Sequence, residues 1–409
     1  MKVCVIGLGY MGLPMAALLA RAGHDVVGVD IKPDVVDAVN AGECPFNEKE
    51  MPDLVAKAHK SGRLRAALAP EEADIFVLSL PTPVDHESHV ADMSAVRAGV
   101  KSICPVLKAG DLVVLESTSP VGALEADVRD VINTARPDLA DAIDYIFCPE
   151  RAIPGDTVRE MAENDRVVGG LTPEATTRGV AFYQTFVKGD VLPTEARVAE
   201  LVKLVENASR DVQIAFANEL SKMCHEVGVD VWEVINLANR HPRVNILNPG
   251  TGVGGHCIAV DPWFIIQQAP KATPLMRAAR AVNDSKPEWV LERVREACAR
   301  VMKARADTNT KVRVACLGLA YKPGVDDLRE SPSLVVVSEL MRVKDDVEAL
   351  VVEPYLTRHP DYTLVGLEEA VTQADVVVVL TAHPQFYAMD KALLSGKELV
   401  DPVGLFKNI

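Results

Sequence analysis

The sequence predicts an α/β protein: two Rossmann-like, doubly wound units joined by a long central helical region. Three observations predict it. Short apolar runs alternate with helical stretches through the N-terminal half, the pattern of a parallel sheet wrapped by helices. A glycine turn, Gly7-Leu8-Gly9-Tyr10-Met11-Gly12, separates the first strand from the first helix. From about Glu195 the period becomes that of a long helix, and a second strand–turn series starts near Val312.

Lys2–Ile6 is expected as a strand, the run to Ala22 as a helix, Gly23 as a turn, and Asp25–Val29 as a second strand ending on Asp30. An isolated GxGxxG carries little weight. Between strand and helix, with an acid about 20 residues on, it marks a dinucleotide site. Gly7 permits the tight turn, Gly9 lets backbone meet a pyrophosphate, and Gly12 lets helix pack on strand. The helix N-terminus adds N–H groups and positive dipole. Asp30 suits a ribose diol and repels a 2′-phosphate, so the expected cofactor is NAD rather than NADP.

Further strands are expected at Asp74–Leu80, Leu112–Glu116 and Tyr145–Cys148. Ligands gather at the carboxyl ends of such strands. Those ends carry Pro81-Thr82-Pro83, Glu116-Ser117-Thr118-Ser119-Pro120 and Pro149-Glu150-Arg151. Loop geometry alone also explains the prolines. Glu150 suits acid–base work; a solvated or paired surface acid reads the same way.

In the central region Leu201, Leu204, Val205, Ala208, Val212, Ala215 and Phe216 recur near a helical period. Lys203 and Asn207, four apart, share a face. Two donors on one face suit a developing oxyanion, against the plainer reading of Lys203 as a surface lysine. Val231–Asn239 is a shorter helix, followed by His241-Pro242-Arg243-Val244-Asn245. Then comes Gly250–Trp263, GTGVGGHCIAVDPW, in which Cys257 stands beside His256, behind Gly254 and Gly255, with Asp261 four residues on. Glycine lets ligand and backbone approach closely, and a thiolate there is a good nucleophile. A small buried cysteine in a glycine turn fits the same residues. Pro274–Ala306 reads as one long helical region for core and subunit packing, and Ala306–Thr310 as a linker. Strands at Val312–Leu317, Val347–Val352 and Asp375–Leu380 build the second α/β unit. Its first turn, Gly318-Leu319-Ala320-Tyr321-Lys322-Pro323-Gly324, is not GxGxxG, so no second dinucleotide is expected. Lys322 and Arg329 could meet a diphosphate or lie in a solvated loop. The expected domains are 1–195, 196–306 and 307–409.

Composition sets the bounds. A chain of 409 residues is too long for one ordinary core. A net charge of −15 argues against a nucleic-acid partner. The eight cysteines are scattered without a C-x-x-C pair, so neither a metal site nor a disulfide framework is expected. No signal-peptide pattern opens the chain, and no apolar run reaches the ~20 residues of a spanning helix. The expectation is a soluble, cytoplasmic protein with no membrane partner.

These motifs resemble the UDP-glucose/GDP-mannose dehydrogenase family nearly end to end. The resemblance rests on VCVIGLGYMG, ESTSPVG, CPERAIPG, AELVKLVENASRDV, HPRVNILNPGTGVGGHCIAVDPWFI, TPLMRAARAVNDSKP and GLAYKPGVDDLRESP. It implies a four-electron oxidation of a UDP-sugar at C6. NAD takes a hydride to give an aldehyde, a cysteine forms a thiohemiacetal, a second NAD leaves a thioester, and water releases the acid. By match to the motifs Cys257 is the nucleophile, and Lys203 and Asn207 hold the oxyanion. Asp261 and Thr118 position water or relay protons, and Glu150 assists hydrolysis. The resemblance places NAD on Gly7, Gly9, Tyr10, Met11, Gly12, Asp30, Pro81, Thr82 and Thr118. It places the substrate on Glu150, Arg151, Lys203, Asn207, Arg243, Gly254, Tyr321, Lys322 and Arg329. Arg243 matches an arginine often supplied by a partner subunit, so a homodimer is implied. Two departures, Val260 and Pro154 where the UDP-glucose branch has a lysine and an acid, fit the acetamido-sugar branch. CIAVDPWF favours its N-acetylmannosamine type over its N-acetylglucosamine type.

Overall fold

A computed structural model describes residues 1–409 except 47, 49, 86, 87, 153, 154, 256, 306–309, 343–345, 408 and 409. His256, Pro154 and most of the expected linker therefore lie outside the described residues. The chain divides into two compact units, one of Met1–Glu206 with Trp263–Pro270, the other of Asn207–Pro262 with Lys271–Ile409.

The first unit is built on eight strands: β1 (Lys2–Ile6), β2 (Asp25–Val29), β3 (Leu64–Ala67), β4 (Ile75–Leu78), β5 (Leu112–Leu115), β6 (Asp144–Phe147), β7 (Arg166–Gly170) and β8 (Val191–Glu195). Their order is β3-β2-β1-β4-β5-β6-β7-β8. Successive strand residues face opposite sides. Thus Val3 and Val5 join one core cluster with Leu13 of α1 (Gly12–Arg21), while Cys4 and Ile6 join the other. Every residue of β4 and β5 is buried, as helices on both faces require.

Two features depart from the sequence expectation. The sheet is not wholly parallel, because β7 runs antiparallel to β6. β3, β7 and β8 were also not legible. β7 opens on a charged Arg166 and closes on Gly169-Gly170, and β8 carries Pro193. Proline cannot donate to a ladder, and β8 is an edge strand, where that is tolerated. Helix α2 (Pro173–Tyr183) lies between these two strands.

α3 (Ala196–Val227) is a single helix of 32 residues. Its turns from Asn207 on and the cysteine loop belong to the second unit; α4 (Asp261–Gln268) follows the loop in the chain, its first two residues in the second unit and the rest in the first. The helical region expected at Pro274–Ala306 is instead two helices, α5 (Pro274–Asp284) and α6 (Lys286–Ala304). Ser285 breaks them because Pro287, in the first turn of α6, has no N–H for a continuing helix. α6 packs Val290, Leu291, Val294 and Ala297 against the second sheet. That sheet holds β9 (Val312–Leu317), β10 (Val347–Val352), β11 (Val376–Val379) and β12 (Glu398–Val400) in the parallel order β10-β9-β11-β12. The short β12 was not expected.

Candidate active site

In the first unit the glycine turn behaves as its spacing requires. Gly7 has φ of +94°, and a Cβ there would lie 2.3 Å from Ser79 O. A Cβ on Gly12 would lie 1.8 Å from Gly7 O. A Cβ on Gly9 would meet no protein atom within 4 Å. That opening beside the start of α1 is a cradle for a pyrophosphate, so the residues fit NAD. Asp30 follows β2, half-buried; its Oδ2 accepts the Leu8 N–H at 3.0 Å and its Oδ1 that of Lys32 at 3.0 Å. Tyr10 is exposed, its ring tilted by 31° against Phe46 with centroids 4.4 Å apart. Met11 packs on the core.

Thr82 and Thr118 are brought together: Thr82 Oγ1 donates to Thr118 O at 2.6 Å. Pro81, beside Thr82, is exposed. Glu150, just past β6, receives the N–H groups of Arg151 and Ala152 on Oε1, both at 2.6 Å. Its Oε2 faces Arg166 Nη1 at 2.8 Å. Arg151 is committed to a two-point ion pair with Glu206, at 2.7 and 3.1 Å. Lys203 is half-buried on α3, one turn before Asn207.

Behind Glu150 lies a buried cluster that the sequence reading did not identify: Glu116, Cys148, Arg166 and Tyr183. Tyr183 donates its hydroxyl to Glu116 Oε1 at 2.7 Å. Burial pushes Glu116 up to about 8, opposed by Arg166 and reinforced by Glu150. The signal available was a charge at the end of an otherwise apolar strand, LVVLE, and another opening RVVGG.

In the second unit Asn207 and Asp261 meet, Asn207 Nδ2 donating to Asp261 Oδ2 at 2.5 Å. Cys257 is half-buried, and its carbonyl accepts the N–H groups of Val260 and Asp261 at 3.0 and 2.8 Å, closing the turn that opens α4. The other seven thiols, Cys4, Cys44, Cys104, Cys148, Cys224, Cys298 and Cys316, are all pushed up by burial.

The glycines before Cys257 have a reason beyond ligand approach. A Cβ on Gly254 would lie 2.5 Å from Glu330 O and 2.6 Å from Tyr321 Cβ; one on Gly255, at φ +78°, would lie 2.9 Å from the Tyr321 ring. Gly255 N also donates to Arg329 O at 3.0 Å. It is the protein's own Tyr321 and the Glu330 backbone that approach here. Tyr321 and Arg329 are thereby brought beside the cysteine loop, close enough to feel the Cys257 charge. Arg329 pairs with Asp327 at 2.6 Å, and Lys322 Nζ sits 5.8 Å from the Tyr321 ring centre. Arg243 stands apart, on the exposed run His241–Asn245. Asn239 ties that run's far end by exchanging two hydrogen bonds with Ile246, at 2.7 and 2.9 Å.

An open glycine turn over a dinucleotide sheet and a half-buried cysteine in a glycine loop define an NAD-linked oxidoreductase. The chain belongs to the UDP-glucose/GDP-mannose dehydrogenase family, whose NAD binding domain matches residues 1–187, central domain residues 197–285 and UDP binding domain residues 315–408. The chain is 46% identical to an NDP-N-acetyl-D-galactosaminuronic acid dehydrogenase of Ralstonia nicotianae, covering 99% of this chain and 96% of the relative. It is also 46% identical to the UDP-N-acetyl-D-mannosamine dehydrogenase of Escherichia coli, over 99% of both chains. The solved UDP-D-ManNAc dehydrogenase of Pyrococcus horikoshii superposes with a TM-score of 0.91 at 33% identity, covering 100% of this chain and 97% of its own. Among the described residues no helix is long and apolar enough to cross a membrane, and no cluster of His, Cys, Asp and Glu could hold a metal ion.

Proposed function

We propose that this chain oxidises the C6 hydroxyl of UDP-N-acetyl-D-mannosamine to the carboxylate, giving UDP-N-acetyl-D-mannosaminuronate through a Cys257 thiohemiacetal and thioester. The observation that carries the reading is the cysteine loop. Cys257 is half-buried, its carbonyl accepts the Asp261 N–H, and Asp261 in turn accepts from Asn207, in a chain whose other thiols are pushed up by burial. NAD, when bound, supplies the acceptor for the electrons removed at each oxidation.

Cys257 Sγ adds to the C6 aldehyde; a C–S bond forms, and the thiol proton passes to the carbonyl oxygen. Asn207 has a second amide N–H beyond the one given to Asp261. With the Lys203 ammonium it steadies the negative charge that develops on that oxygen before the proton arrives. At the thioester, water adds to the acyl carbon, the C–S bond breaks, and the sulfur recovers a proton. Glu150, held by two backbone N–H groups and Arg166, orients that water, and Asp261 and Thr118 carry protons. Tyr321, Lys322 and Arg329 take the UDP end, in a division of roles over 1–195, 196–306 and 307–409. The working form is a cytoplasmic homodimer, with Arg243 reaching a partner's substrate. Phe216, Met223 and Val227, exposed at spacings of seven and four on α3, support it as an apolar stripe.

A second reading keeps the chemistry and changes the sugar to N-acetylgalactosamine, because the Ralstonia relative is equally similar. Incubation with NAD and each of UDP-N-acetylmannosamine, UDP-N-acetylgalactosamine, UDP-N-acetylglucosamine and UDP-glucose decides. The expected outcome is two NADH per acid formed and a kcat/KM at least about tenfold higher for the first sugar. A higher value for another sugar moves the substrate; one NADH per turnover rejects the mechanism.

A further inference from the structure

Within the second unit, four buried side chains run from α3 to the cysteine loop, and none has a role above. Arg280 Nη1 donates to Asp211 Oδ1 at 2.6 Å, while its Nη2 meets Asp284. Asn283 Nδ2 donates to the same Asp211 oxygen at 2.8 Å. Asn218 Nδ2 donates to Asn283 Oδ1 at 2.9 Å. Asn218 Oδ1 then accepts the backbone N–H of Gly250, the first residue of the loop, at 2.9 Å. Asp211, Asn218, Asn283 and Arg280 are exposed by 0, 0, 1 and 2%.

The direction of this chain is fixed from both ends. Gly250 N–H can only donate, so Asn218 must turn its oxygen to the loop and its NH₂ to Asn283. Arg280 can only donate, so Asp211 Oδ1 accepts, and Asn283 must turn its NH₂ toward it. Both requirements give the same amide orientations, and Asp211 Oδ1 accepts in either protonation state. The loop is therefore tied to α3 at each end, by Asn218 at Gly250 and by Asn207 at Asp261. Those anchors are about 16 Å apart along the helix axis at 1.5 Å per residue. The Asn283 carbonyl also backs the loop, 3.4 Å from where a Cβ on Gly252 would lie.

We propose that Arg280, Asp211, Asn283 and Asn218 are positioning residues: a directional hydrogen-bond relay that sets the register of the Gly250–Asp261 loop on α3 and so presents Cys257. They touch no reacting atom; they act through the Gly250 amide. The inference rests on Cys257 being the nucleophile.

The test compares Asn218→Leu and Asp211→Leu, which break the relay, with Asp211→Asn, which keeps its acceptor. The readouts are kcat and the pH profile of Cys257 alkylation by iodoacetamide without substrate, mapped by peptide mass spectrometry. The relay predicts that both leucine variants lower kcat at least about tenfold and shift the alkylation profile. KM for NAD stays unchanged, and Asp211→Asn stays within about threefold of wild type. Folded leucine variants with wild-type kcat and alkylation overturn the proposal. The wild-type protein gives a second readout that no misfolded variant can obscure, native-state hydrogen exchange at Gly250. Protection of at least about a hundredfold over an open loop is expected, and exchange at the open-loop rate overturns the relay. If Cys257→Ser keeps full turnover, the nucleophile reading fails, while alkylation and exchange still judge the relay.

Discussion

The molecule contains the same turn twice, and the two copies do different things. In both sheets a carboxylate beyond the second strand of the β–α–β series reaches back to the turn after the first. Asp30 does so with one oxygen on Leu8 N–H and stays half-buried. Glu353 is buried, and its Oε2 takes the N–H groups of Leu319 and Ala320, at 2.7 and 3.0 Å, and faces His383 Nε2 at 3.1 Å. Gly324 N–H occupies His383 Nδ1, so Nε2 carries the proton that Glu353 accepts. The first turn is open at Gly9; the second is filled, with Leu319 and Ala320 fully buried. The topology is shared, but an open turn with a half-exposed acid binds a dinucleotide, whereas a filled turn has used its acid to hold itself together.

The largest test of this comparison is Gly12→Val. With the Cβ position 1.8 Å from Gly7 O, helix and turn must separate, and NAD affinity should fall at least about a hundredfold by calorimetry. Near-normal affinity would break the comparison. Next is Asp30→Ala, expected to weaken NAD about tenfold and narrow the preference over NADP, in line with loss of hydrogen bonds to a charged group. The matching Glu353→Gln should leave NAD affinity alone and lower the melting temperature.

The pH dependence of the two buried acids sharpens the contrast. Burial pushes both up, but the His383 contact and the Leu319 and Tyr355 N–H groups leave Glu353 below its ordinary 4.5. Its contribution to stability is present above that value and lost as pH falls through the folded one. Glu116 goes the other way, from 4.5 to about 8, so the unfolded chain ionises first and stability falls as pH rises across that window. Melting curves should show this decline, and Glu116→Gln should flatten it. The smallest effect is Gly324→Ala. No atom lies within 4 Å of its Cβ position and φ is +80°, so strain alone should cost about 1 kcal/mol in denaturant unfolding.

Much of this was legible in the sequence because it is local. β1, β2 and β9 follow from apolar runs beside turn glycines, and β10 from its apolar run alone. The GxGxxG–Asp30 spacing is a backbone requirement that any reader of spacing can recover. The Thr82–Thr118 contact was foreshadowed by strand ends in a parallel sheet. The rest depends on residues distant in sequence. Nothing in GTGVGGHC says that Tyr321 fills the space its glycines leave. Nothing in RVVGG says that Arg166 faces Glu150, or that this strand runs antiparallel. The break at Ser285 was present in the sequence as the polar run Asn283-Asp284-Ser285-Lys286 followed by Pro287, which interrupts the apolar residues between Val282 and Trp289.

The central claim is that carbon six becomes covalently attached to Cys257 during turnover. Acid quench of enzyme mixed with NAD and UDP-N-acetylmannosamine, followed by peptide mass spectrometry, tests it directly. The account predicts an acyl adduct of the nucleotide sugar on the Cys257 peptide, formed and lost at rates compatible with kcat. Steady turnover with that peptide unmodified, together with a Cys257→Ser variant still yielding two NADH per acid, would contradict it.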